Sequence, residues 1–121
     1  MRSSLAVVLV ALAMAPAAMA AEQTWTGVIS ESHCTMKHAT EYRGRPITAR
    51  ECIVGREGPD GLPGCIKNGA QFVFVSDGKV HKVANQDFKD LWVHAAETVR
   101  LTGELKGDAI TVKRLATSQT K

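Results

Sequence analysis

Hydrophobic side chains make up 45% of the 121-residue chain, but 16 of them fall in the first twenty positions, so the two parts read differently. The 101 residues after position 20 carry 38 hydrophobic side chains, enough for one small domain and too few for two. Their 14 basic and 12 acidic side chains leave a charge of +2, which points away from a polyanion partner. These counts exclude a multidomain enzyme, a membrane-spanning protein and a disordered tail.

In chain order, the first element predicted is not part of the fold. Met1 and Arg2 form a short basic region, residues 5–15 an apolar run, and Ala18-Met19-Ala20 a small-residue cleavage site. Together they predict a secretory signal over residues 1–20, too short to anchor in a bilayer, and no cysteine at position 21 offers a lipid attachment point. The expectation is a periplasmic or secreted product with no membrane span and one domain over residues 21–121.

Residues 24–30 are rich in β-branched and aromatic side chains and predict a strand with Trp25, Gly27 and Ile29 on one face. Periodicity then disappears over residues 31–69, a long loop holding all three cysteines and two of the four histidines. Helical turns are expected within it near residues 33–39 and 47–54. Residues 71–75 and 80–84 predict two strands joined by a hairpin turn at Asp77-Gly78. Asn85 reads as an N-cap, Asp87 as a first-turn acid, and Phe88, Leu91, Trp92 and Ala95 share one face of a short amphipathic helix. Residues 98–105 alternate, with Val99, Leu101, Gly103 and Leu105 inward, and a turn at residues 106–108 returns the chain into residues 109–116, where Ile110 and Val112 point the same way. The pattern predicts an all-β fold with one short helix: a five-stranded OB-like barrel, ordered strand, long loop, strand, strand, helix, strand, strand. An open antiparallel sheet with the helix packed across it is the competing arrangement.

The run Trp25-Thr26-Gly27-Val28-Ile29-Ser30-Glu31-Ser32-His33-Cys34-Thr35-Met36-Lys37-His38 resembles the opening W-x-G-x-I-S-D-S-x-C-G-x-x-H of a family of small exported bacterial domains of uncharacterised function. The strand Gly69-Ala70-Gln71-Phe72-Val73-Phe74-Val75 and the hairpin from Leu101 to Val112 are similar to that family's later segments. The resemblance covers nearly the whole chain after position 20 and implies export and an OB-like barrel; it implies no activity. The chain departs from the pattern at Glu31, where aspartate is usual, at Thr35, where glycine is usual, and in the twelve residues between Cys52 and Cys65, where about three are usual.

Three cysteines in an exported domain cannot all pair within one molecule. One reading is a single disulfide with one thiol left over, of which Cys52–Cys65 is one of three possible pairings, worth about 3 kcal/mol by loop-closure entropy. The other uses His38: Cys34 and His38 are four apart, so one helical turn would aim both at a common metal. With Cys52 and Cys65 they make a Cys3His set suited to zinc or copper. A metal and a disulfide compete for the same sulfurs. The two readings give two functions: a small exported module binding a soft metal, or a disulfide-stapled structural or interaction domain taking a small molecule or envelope component.

His33, beside Cys34, is an alternative to His38, while His81 and His94 read as surface or half-buried side chains. Glycine recurs at positions 55, 58, 61 and 64 in a collagen-like pattern too short for a triple helix, which predicts an extended or polyproline-like loop. Residues 31–65 carry five basic and five acidic side chains and one aromatic, Tyr42, a poor match to a nucleic-acid groove. No phosphate loop or nucleophile elbow is present, and a lone reactive thiol is easily lost in an oxidising compartment, so an enzyme is not expected.

Overall fold

The computed structural model describes residues 9–11 and 21–118; the predicted signal segment lies almost entirely outside the described residues. The elements in chain order are β1 (Glu22–Glu31), β2 (Glu41–Tyr42), β3 (Arg45–Pro46), α1 (Ala49–Val54), α2 (Gly64–Lys67), β4 (Phe72–Ser76), β5 (Lys79–Val83), α3 (Asp90–Val93), β6 (Thr98–Lys106) and β7 (Ala109–Thr117). The five long strands close on themselves in the order β1-β4-β5-β7-β6 and back to β1. All neighbours are antiparallel except β5 and β7, which run parallel through Lys82 opposite Ala109 and Val83 opposite Ile110. This is the OB-like order that the spacing of strands predicts, with the ring closed most thinly between β5 and β7, where two residue pairs join the strands.

Alternation along the strands decides which side chains fill the ring. Ile29, Phe74, Val99, Leu101 and Ile110 are completely buried, Val112 nearly so, and Trp25 and Leu105 pack partly buried against them. Asp77 and Gly78 turn β4 into β5 with φ of 50° and 74°, the pair of left-handed residues that a two-residue hairpin loop requires.

The segment between β5 and β6 departs from its predicted form. Asn85 does not cap a helix: its amide donates to the Val112 carbonyl and accepts from the Val112 N–H, both at 2.8 Å. Gln86 likewise accepts from the Phe72 N–H at 2.7 Å and donates to the Phe72 and Val83 carbonyls at 2.9 Å each. Two side chains spent on strand backbones hold this stretch out of helical geometry, and helix is confined to the four residues of α3. Leu91 and Ala95 are fully buried in the ring as the helical face predicts, but Trp92 is 39% exposed, its ring crossing that of Phe72 in an edge-to-face pair 6.5 Å between centroids. The chain beyond α3 is fastened to β1: the Ala96 N–H donates to the Ile29 carbonyl at 2.8 Å.

Among the described residues the expectation of one helix is corrected to three, because the long loop holds two of its own as well as the β2–β3 hairpin. For α1, Thr48 accepts from the Glu51 N–H and Glu51 accepts from the Thr48 N–H, both at 3.1 Å, a reciprocal cap that starts the helix where a turn was predicted. From α1, Arg50 donates to the Trp92 and Val93 carbonyls at 3.0 and 2.8 Å. The loop is thereby docked on α3.

Candidate metal centre

The cysteine-bearing loop folds over the end of β1. β1 supplies Ser30 and Glu31, the turn over residues 32–36 supplies His33 and Cys34, α1 supplies Cys52 and α2 supplies Cys65. The sulfurs of Cys34, Cys52 and Cys65 all lie within 4.8 Å of one another, and all three thiols are free. The Cys52–Cys65 disulfide is therefore not formed in this structure.

The approach of Cys52 to Cys65 has a local cause in the glycine-rich insertion. The stretch is not the extended loop that its collagen-like pattern suggests. It folds back on itself, with Arg56 and Leu62 exchanging backbone hydrogen bonds of 2.9 and 3.0 Å and the Gly61 N–H donating to the Gly58 carbonyl at 2.9 Å. Gly55 and Gly64 then meet across its neck. A Cβ on Gly64 would lie 2.4 Å from the Gly55 nitrogen and 2.6 Å from the Val54 carbonyl carbon, at a φ of +75° that already disfavours any side chain. Contact between these two backbones packs α1 against α2, so twelve intervening residues separate the cysteines in sequence and not in space.

Cys34 and His38 do meet, by a route other than the one predicted. Residues 32–36 form a turn and not a helix, with Thr35 at φ 53°, and the turn wraps around the carboxylate of Glu31. Glu31 is fully buried and accepts from the His33 N–H at 2.6 Å and the Cys34 N–H at 3.0 Å, which satisfies a group whose burial would otherwise be very costly. Glu31, Cys34 and His38 form a second group of donor atoms within 4.8 Å of one another, and Glu31, His33 and Cys65 a third. Cys34 is common to the sulfur group and the His38 group.

The hydrogen bonds around His38 assign its tautomer. Ser30 donates its single hydroxyl proton to the Thr35 carbonyl, so its oxygen accepts from Nε2–H of His38 at 3.1 Å. In the neutral ring Nδ1 is then bare. It is buried, has no hydrogen-bond partner, and faces the Glu31 carboxylate at 3.7 Å. Two acceptors facing each other at that distance repel, and a cation held by both removes the repulsion.

Burial pushes the Cys65 thiol up from an ordinary value near 9 to about 12, with the negative charge of Glu31 adding to it and the other two thiols contributing less. Cys34 is raised as well, first by burial, then by the charge of Glu31 and hydrogen bonding to it, with Cys52 contributing less. In the metal-free protein these two thiols stay protonated at neutral pH, and a bound cation would take over the task of balancing Glu31 while releasing the thiol protons. A cleft of about 160 Å3, lined by Tyr42, Ile47, Leu62 and Pro63, opens onto Cys52 and Cys65 from one side.

The ring of His81 is 6.4 Å from those of Trp25 and Phe74, and His94 pairs with Glu97 at 2.8 Å. Among the described residues neither belongs to a metal-sized group. Glu31 is the site residue that sequence reasoning missed. Its signal was faint: an acid at the end of a strand, two and three residues before the N–H groups of a turn that it can cap. No family model, curated protein or solved structure matches the chain, so the site is read from its own geometry. No helix among the described residues is long and apolar enough to cross a membrane.

Proposed function

We propose that the chain is an exported binding module that holds one soft metal ion, zinc or copper, through Cys34, Cys52 and Cys65, with His38 and Glu31 as the nitrogen and oxygen donors beside Cys34. The observation that carries this reading is the convergence of three free thiols with a buried imidazole nitrogen lacking a partner and a buried carboxylate. Thiolates and imidazole are donors that both ions accept. Raised thiol pKa values argue against a cysteine nucleophile, which needs its thiolate at neutral pH, and so support a binding role over an enzymatic one. The signal segment and the resemblance to exported domains support a periplasmic or secreted location. The balanced charge of residues 31–65 supports a partner other than nucleic acid.

The test is metal analysis with thiol titration on protein purified from the periplasm. The reading expects one equivalent of transition metal and three titratable thiols per denatured chain. Below about half an equivalent of metal, with a single titratable thiol, the reading fails. That second outcome belongs to a Cys52–Cys65 stapled interaction domain for a small molecule or envelope component, which the packing of α1 on α2 would also accommodate.

A further inference from the structure

A groove of about 180 Å3 that Cys52 and Cys65 do not line reaches His38. Its walls are mostly apolar, from Val28, Ala49, Val75 and Ala96, and its two metal-ligating side chains are Met36 and His38. Met36 is 63% exposed, whereas the side chain of His38 is 14% exposed and its Nδ1 is buried without a partner. A thioether and an imidazole thus line one groove, and the imidazole shares Cys34 with the three-sulfur group.

We propose that this groove is the inlet for Cu(I), with Met36 as the first ligand and His38 and Cys34 passing the ion to Cys52 and Cys65. The proposal rests on the metal-holding reading of the cluster and narrows it to a soft monovalent ion. Thioether sulfur is a ligand for Cu(I), while zinc takes Cys, His, Asp and Glu. The apolar walls offer little to replace the water shell of a divalent ion, and a weakly hydrated monovalent ion loses less on entering. Because Cys34 belongs to both groups, the ion keeps one sulfur ligand throughout its passage, and each thiol that joins it releases its proton to solvent.

The experiment compares the wild-type chain with Met36→Leu, which keeps an apolar side chain of similar size at an exposed position and should leave folding intact. Cu(I) is presented anaerobically as its bicinchoninate complex and uptake is followed by loss of the chelator colour; Zn2+ uptake is followed in parallel with a zinc-responsive dye. Cu(I) uptake should slow by on the order of tenfold in Met36→Leu, with the final copper stoichiometry and the zinc rate unchanged. Equal copper rates in the two proteins would overturn the inlet, as would an equal slowing of copper and zinc, which would mean that the substitution merely reshaped the groove. A wild-type chain that binds zinc and no Cu(I) would overturn the inlet and leave the metal-holding reading standing. Binding of neither ion would remove both.

Discussion

Gly64 is where one added carbon should do most harm to the cluster without touching a donor atom. In Gly64→Ala the residue must either keep a φ of +75° or leave it, and the left-handed region costs an alanine about 1–2 kcal/mol. The new Cβ would also lie 2.4 Å from the Gly55 nitrogen, 2.6 Å from the Val54 carbonyl carbon and 2.8 Å from the Ile53 carbonyl oxygen. All three are backbone atoms and cannot rotate aside, so α1 and α2 must part, with an overpacking cost of about 1–3 kcal/mol. The total expected is about 2–5 kcal/mol, and because a metal tolerates only small changes in ligand distance, metal affinity should fall as well. Gly107→Ala separates the two contributions: its φ is +65° but no atom lies within 4 Å of the added carbon, so it carries the conformational cost alone. Urea denaturation of the two metal-free variants, with competitive metal titration of each, measures both effects. If Gly64→Ala lies within about 0.5 kcal/mol of Gly107→Ala and binds metal like the wild type, the neck between Gly55 and Gly64 does not set the Cys52–Cys65 distance.

Three other outcomes follow from the geometry. Leu91→Ala should cost about 2–5 kcal/mol because Leu91 is fully buried in the ring, whereas Trp92→Ala should cost about 1 kcal/mol because that side chain is 39% exposed; equal losses by denaturant titration would contradict the placement of α3. Thr35→Gly should stabilise the metal-free protein by about 1 kcal/mol, since a β-branched residue at φ 53° is strained, and a lower melting temperature would contradict this. Metal-free protein should lose stability in alkali. The folded Cys65 thiol titrates above its unfolded value, so its contribution is complete below about pH 9 and disappears as pH rises through about 12. Glu31→Gln removes the nearby charge and should move thiolate formation, read by ultraviolet absorbance, to lower pH; an unmoved titration would show that Glu31 does not act on the thiols.

Much of the fold is legible in the residues themselves. Alternation along residues 24–30 and 98–116, and the Asp77-Gly78 turn, define strands and one hairpin because a strand's period of two and a two-residue turn's left-handed φ are local requirements. Thr48 with Glu51 carried a capping signal for α1 that is equally local. The helix after Asn85 was overestimated because its competitor is distant: the hydrogen bonds of Asn85 and Gln86 go to Val112, Phe72 and Val83, and only the last is near in sequence.

The candidate site divides along the same line. Cysteine and histidine are recognisable as donors wherever they fall, so Cys34, His38, Cys52 and Cys65 could be named from residue type, and the count of three thiols alone posed the choice between bridge and metal. Their convergence required the closed ring, which fixes the end of β1, and the glycine neck, which brings α2 to α1. The role of Glu31 required both, because a carboxylate becomes a buried charge facing thiols and an imidazole nitrogen only after the chain has closed around it. Local chemistry was therefore written along the chain, while distance and burial, on which every electrostatic property of the cluster depends, were decided by contacts between residues far apart in it.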